Sequence, residues 1–176
     1  MHRYKPDLYC ADITDVPFAN LAAKNIVNIC VDLDNTLARR DSAVVEARLA
    51  KALEQAQRDN YIKNICVVSN IIWGSGRAER VRHIAEQLRT QHYFAARFWE
   101  RKPSAIPFLE AMRMMHSTPQ TTAIIGDQVF TDILGGNRLG MYTILVRPLG
   151  PDHWTTLLTG RRLREAALLA RLGLKK

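Results

Sequence analysis

Long apolar runs are missing from this chain. The longest stretches free of Asp, Glu, Lys and Arg, such as Ile65 to Gly76, fall short of the ~18 apolar residues that a spanning helix needs, so no membrane span is expected. The N-terminal MHRYKPDLYC is basic but lacks an apolar core followed by small residues. It does not read as a secretory signal, and a cytoplasmic protein is expected. Cysteine is scarce: Cys10, Cys30 and Cys66 form no CxxC pair, which argues against a disulfide framework and a zinc site and makes Cys30 and Cys66 buried thiols. The five histidines show no HxxxH-like ligand spacing, so a His-built metal site is not expected either. Acidic residues are outnumbered, 17 against 25 Lys and Arg, for a net charge of +8. That excess favours an anionic partner: nucleic acid, an acidic lipid surface or a phosphorylated small molecule.

What is present suffices for one compact domain. The 176 residues, 47% hydrophobic and 24% charged, leave no room for a second large domain and no case for global disorder. We divide the chain into an N-terminal extension, 1–24, packed on the domain, a core of 25–150, and a basic helical tail, 151–176.

Within the core, short β-branched runs alternate with helical patterns. Ile26, Val27, Ile29, Cys30 and Val31 predict a buried strand at about 26–32. Asp41 and Ser42 then offer caps for a helix with Val45, Leu49, Ala52, Leu53 and Ala56 on one side. The run from Ile65 to Ser69 is a second strand, followed by Val81, Ile84, Ala85 and Leu88 at helical spacing. A weak strand is expected near Tyr93 to Phe98, and Pro103-Ser104 opens a helix with Ala105, Phe108, Leu109 and Met112 on one face. Thr121 to Gly126 is the next strand, Asp132 to Leu139 a short helix closed by Gly140, and Tyr142 to Val146 the last strand. Five strands alternating with helices predict an α/β fold: a three-layer, Rossmann-like parallel sheet covered on both faces. In such sheets ligands bind beyond the carboxyl ends of the strands.

Those ends carry oxygen-rich and cationic side chains. The first strand runs into Asp32-Leu33-Asp34-Asn35-Thr36, and side chains two apart on an extended chain point the same way. The second ends Ser69-Asn70, the fourth ends Gly126-Asp127 with Asp132 shortly after, and Lys102-Pro103 precedes the third helix. Neighbouring carboxylates repel unless a cation lies between them, and an all-oxygen cluster suits Mg²⁺ with a substrate phosphate. A hydroxyl and an ammonium beside it can hold the remaining phosphoryl oxygens. The set reads as a phosphate-transfer site. GSGR after the second strand lacks Walker spacing, so ATP binding is not expected.

Taken in order, VDLDNTL, VVSN, RKPS and GDQVFTDILGGNRLGMYTILVRPL resemble the haloacid dehalogenase superfamily of phosphohydrolases. They are most similar to the YqeG branch, which is related to the mitochondrial phosphatidylglycerophosphatases. The likeness spans about residues 7–150. It implies a HAD-like fold and a two-step mechanism in which Asp32 attacks phosphorus to give an aspartyl-phosphate and Asp34 acts first as acid, then as base. It further implies Mg²⁺ held by Asp32, the backbone carbonyl of Asp34 and Asp127, with Asp132 in an outer position, and Ser69, Asn70 and Lys102 binding phosphate. The branch usually continues with polar residues after Ser69-Asn70, where this chain has Ile71-Ile72-Trp73-Gly74-Ser75-Gly76. The two glycines suggest a mobile loop, and Trp73 is expected to pack.

The intervals Asp34 to Ser69 and Ser69 to Lys102 are each consumed by a helix with its connections, so no cap domain is expected and the pocket should be open. Openness admits a bulky substrate, and phosphatidylglycerophosphate is the one the resemblance favours. The tail carries Arg161, Arg162, Arg164, Arg171, Lys175 and Lys176 against Glu165, and suits peripheral contact with an anionic membrane. Leu163, Ala166, Ala167, Ala170 and Leu174 form one stripe of it, with Leu168, Leu169 and Leu172 opposite. The alternatives left open are another phosphomonoester (phosphoprotein, nucleic-acid end or small metabolite) or a catalytically silent basic binding module. No RNA-binding aromatic motif or helix-turn-helix spacing favours nucleic acid.

Overall fold

The computed structural model describes residues 2–40, 42–71, 76–151 and 160–174. Six strands form one sheet: β1 (Leu8–Cys10), β2 (Asn28–Val31), β3 (Asn64–Asn70), β4 (Tyr93–Ala96), β5 (Thr122–Gly126) and β6 (Tyr142–Val146). All pair in parallel, in the order β1-β6-β5-β2-β3-β4. Five had been expected. The sixth, β1, is only three residues long and pairs on β6 at the sheet edge, so the N-terminal extension joins the sheet as well as packing on it. Its pattern was too short to register as a strand.

Burial on both faces explains the β-branched composition of the central strands. Ile29, Val31, Ile65, Val67, Ala123 and Ile125 face one layer, shared with α1 (Phe18–Ala23), α2 (Ala47–Arg58) and α3 (Gly76–Gln87). Cys30, Cys66, Val68 and Ile124 face α4 (Ile106–Met114) on the other side. Cys30 and Cys66, register partners on β2 and β3, are fully buried free thiols, and burial pushes the Cys30 thiol up to about 12.

Several boundaries move for local reasons. The first long helix starts at Ala47, after Glu46, rather than at Ser42. The Ser42 hydroxyl instead accepts the Val44 N–H at 3.1 Å, and the Gln87 side chain holds Val45 N and Ala43 O, keeping this segment off the helix axis. Asp41 lies outside the described residues. On α4 the buried side chains are Pro107, Phe108, Ala111 and Met112, whereas Leu109 faces out. The short helix is a π turn, Val129–Ile133, running into α5 (Leu134–Leu139), with Gly140 closing it in the left-handed region at φ 74°.

The tail folds as α6 (Arg161–Arg171). Its inner face carries Leu168 and Leu169, packed with Val129, Ile133 and Leu145, so of the two stripes it is this one that docks on the domain; Leu174, assigned to the opposite stripe, joins it. Leu163 is 77% exposed. No helix among the described residues is long and apolar enough to cross a membrane, and among them nothing resembling a cap domain is inserted between β2 and β4.

The chain leaves β2 for β3 and β4 on one side, then returns to β5 and β6 on the other, beside the N-terminal edge strand β1. The β2–β5 junction is therefore the point where connections diverge, and its carboxyl edge is where such sheets bind ligands.

Candidate active site

Register gathers the chemistry. Val31 pairs with both Val67 and Ile125, so the residues that follow, Asp32, Val68-Ser69 and Gly126-Asp127, come to one level at the carboxyl edge of the sheet. The Asp32 N–H still bonds Ile125 O at 2.8 Å, fixing that carboxylate to the end of the sheet. Asn35 then turns the chain at φ 62°, a left-handed conformation that asparagine tolerates better than most residues. The turn brings Thr36 back, and its hydroxyl donates to Asp32 Oδ2 at 3.3 Å.

Lys102 is the electrostatic centre. Its ammonium lies 2.5 Å from Asp32 Oδ1 and 2.7 Å from Asp132 Oδ1, and donates to Val68 O at 2.9 Å. Two hydrogen bonds and a second ion pair engage the ammonium, which is what allows a lysine to be only 4% exposed. Asn70 sets its backbone: Lys102 N donates to Asn70 Oδ1 at 2.8 Å, and Asn70 Nδ2 donates to Lys102 O at 3.1 Å. Both polar ends of that amide are thus engaged with Lys102. Ser69, the preceding residue, is buried at the end of β3.

Asp132 is held just as firmly. Its Oδ2 accepts from the Gln128 N–H and the Thr131 hydroxyl, each at 3.2 Å. The carboxyl lies so close over Gly126 that a Cβ there would overlap it, which explains the glycine before Asp127. Carboxylate oxygens of Asp32, Asp127 and Asp132 all lie within 4.8 Å of one another, and all three residues are buried. Burial pushes the Asp32 carboxyl up to about 7; Lys102 pulls it down, and Asp132 and Asp34 add to the rise. Burial alone would lower the Lys102 pKa, but Asp132 and Asp32 outweigh it and hold the ammonium charged above its usual range. Three buried carboxylates around one ammonium leave negative charge in excess, and their all-oxygen donor set fits a hard divalent cation.

Asp34 sits apart from this cluster, half-buried, with Oδ1 accepting from Arg80 Nη1 at 2.8 Å. Arg80 carried no motif signal; its only mark in the sequence is a place on α3 beside the buried stripe of Val81, Ile84 and Ala85. Thr36 was visible only as the last letter of the DxDxT pattern. On the same carboxyl side of the sheet, the turn after β4 exposes Phe98 and Trp99, 67% and 70% accessible, next to exposed Arg97. Glu165 of α6 is buried and accepts the Phe130 N–H at 3.3 Å, tying the tail to the loop that carries Asp132. Of the loop after β3, Ile71 packs partly buried on the core, and Trp73 lies outside the described residues.

Comparison with known proteins agrees with this architecture. Residues 1–149 match the family model described as mitochondrial PGP phosphatase. The chain is 34% identical over 167 residues to a protein of Bacillus subtilis (strain 168) described as a probable phosphatase YqeG, covering 95% of this chain and 91% of that one. Among solved structures, an uncharacterized protein from Listeria monocytogenes serotype 4b aligns with a TM-score of 0.55 at 15% identity, over 73% of this chain and 84% of that one, a likeness of fold alone. A buried aspartate cluster with its lysine at the switch point of a parallel sheet, together with a family match over most of the chain, makes this a haloacid dehalogenase superfamily phosphatase of the YqeG and PGP-phosphatase branch.

Proposed function

We propose that the chain hydrolyses a phosphomonoester through an aspartyl-phosphate on Asp32, with phosphatidylglycerophosphate as its substrate. The observation that carries the chemistry is the meeting of Asp32, Asp127 and Asp132 within 4.8 Å, beside a buried lysine. Asp32 attacks phosphorus; an O–P bond forms as the bond to the leaving oxygen breaks, and Asp34 gives that oxygen its proton. Water then attacks the aspartyl-phosphate, Asp34 takes the water proton, and phosphate leaves Asp32. Asp32, Asp127 and the backbone carbonyl of Asp34 would hold Mg²⁺, which when bound neutralises charge spread over the transferring phosphoryl group. Asp132, whose Oδ1 faces Lys102 and whose Oδ2 holds its own turn, orients the ammonium from an outer position. Lys102 and Ser69 bind phosphoryl oxygens, and Asn70 acts through the Lys102 backbone rather than on phosphate directly.

Three features support a lipid substrate: the matched family's description, an uncapped edge, and exposed Phe98 and Trp99 beside Arg97 on the carboxyl side of the sheet. Aromatic rings with neighbouring arginines suit the headgroup boundary of an anionic bilayer. The outward face of α6, with exposed Leu163, Arg164 and Arg171, would give a cytoplasmic protein a second peripheral contact. The test is phosphate release from phosphatidylglycerophosphate in mixed micelles, soluble phosphomonoesters and phosphorylated oligonucleotides, all with Mg²⁺. The lipid should give the highest kcat/KM. A soluble ester equalling it would overturn the lipid assignment, and no release from any substrate would leave the silent binding module.

A further inference from the structure

Arg80 reaches from α3 into the loop that follows the DxD segment. Its Nη1 donates to Asp34 Oδ1 and its Nε to Ser42 O, both at 2.8 Å, while Nη2 lies 3.3 Å from Arg39 O and 3.5 Å from Arg40 O. Every guanidinium nitrogen is engaged, and the two side chains of the ion pair are only 20% and 18% exposed. The carbonyls fix the planar fork, and the fork fixes one oxygen of Asp34; among the described residues nothing donates to the other, Oδ2. An aspartate at a half-open loop would otherwise sample several rotamers, and proton transfer tolerates displacements of only about half an ångström.

We propose that Arg80 is a positioning residue for the proton-transfer step: it clamps Asp34 through Oδ1 and so presents Oδ2 to the leaving oxygen and then to the attacking water. The inference rests on the two-step reading above. It assigns a task to a residue from outside the four motifs, and explains why Arg39, Arg40 and Ser42 are strapped to α3 through their carbonyls. A lysine cannot replace the clamp, because a single ammonium cannot hold the three carbonyls and the carboxylate in one plane.

Leaving-group chemistry separates this role from simple structural support. p-Nitrophenolate departs without a proton, so formation of the aspartyl-phosphate does not need Asp34, while its hydrolysis does. For p-nitrophenyl phosphate, Arg80→Lys and Arg80→Ala should therefore lower kcat about 10- to 100-fold while kcat/KM changes by less than about twofold. A rapid burst of p-nitrophenolate should persist, and the phosphorylated protein should accumulate by intact mass. On an alkyl phosphate, kcat/KM should fall as well. Millimolar guanidinium should restore turnover to Arg80→Ala but not to Asp34→Asn. Arg82→Ala, on the same helix but paired with Glu79 and Glu86, should leave both parameters unchanged.

Equal losses of kcat and kcat/KM on p-nitrophenyl phosphate, with no phosphorylated protein, would reduce Arg80 to a structural strap and overturn the proposal. Asp34→Asn distinguishes the two levels of failure. If it traps the phosphorylated protein and the Arg80 variants do not, only the role of Arg80 is wrong; if Asp34→Asn traps none, the two-step reading falls and the inference with it.

Discussion

Asp32 and Asp34 stand two residues apart on one segment, yet each is paired with a cation in an opposite setting. Asp32 is 7% exposed and meets a buried ammonium that is shared with Asp132 and locked by Val68 O and Asn70. Asp34 meets a guanidinium at the solvent edge, held by three loop carbonyls. The first half of the site is dry and rigid, which suits holding a nucleophile, a cation and a phosphoryl group in one geometry. The second half is partly exposed, which suits the proton transfer with water proposed for Asp34. The lesson is that the two cations are not interchangeable: one neutralises charge where it cannot be solvated, the other aims a carboxylate where it can.

The largest test of this contrast is chemical. Asp32→Asn should reduce phosphate release from p-nitrophenyl phosphate with Mg²⁺ by at least about 10⁴-fold, since no second nucleophile takes its place; turnover near that of the unaltered protein would remove Asp32 from that role. Next comes stability. Lys102→Met leaves two buried carboxylates without their ammonium and should destabilise the metal-free protein by about 3–5 kcal/mol, whereas Arg80→Met removes a partly solvated pair and should cost about 1–2 kcal/mol. Urea unfolding at low ionic strength checks both, and equal losses would break the comparison.

Gly126→Ala is smaller. The added methyl meets the Asp132 carboxyl, and overpacking of this sort costs about 1–3 kcal/mol; a midpoint shift with no loss would mean that the loop relaxes freely. The smallest expected effect is metal-linked. At ten times its dissociation constant Mg²⁺ should stabilise the fold by about 1.4 kcal/mol. The metal takes ionised carboxylates, and burial holds Asp32 up to about 7, so protons compete with it below that value. The stabilisation should be full near pH 8 and shrink as pH falls through 7, followed by thermal unfolding with and without chelator. A gain that grew on acidification would contradict the buried half of the comparison.

Much of this site was legible before any coordinates. The DxD pair, Ser69, Lys102 and Asp127 announce themselves because each ends an apolar run, and a parallel sheet puts all such ends on one edge. Arg80 does not, because a guanidinium in the middle of a polar helix looks the same whether it faces water or reaches across to a neighbouring loop. Asn70 shows what residue type leaves open: its amide bonds the Lys102 backbone, and residue type alone does not reveal which partner an amide selects. The tail left its docked face open for a related reason. Two apolar stripes compete on α6, and the choice depends on the shape of the surface formed by Val129, Ile133 and Leu145, which is itself a product of folding.

Alternation of apolar and helical periods, which is a local property, was enough to determine a parallel α/β sheet with its chemistry at the carboxyl edge. What the tertiary structure alone decided are the partnerships between distant segments: Lys102 between Asp32 and Asp132, Arg80 on Asp34, Glu165 beneath the π turn. Those depend on distances and directions between elements, and such distances are set only when the layers pack and exclude water.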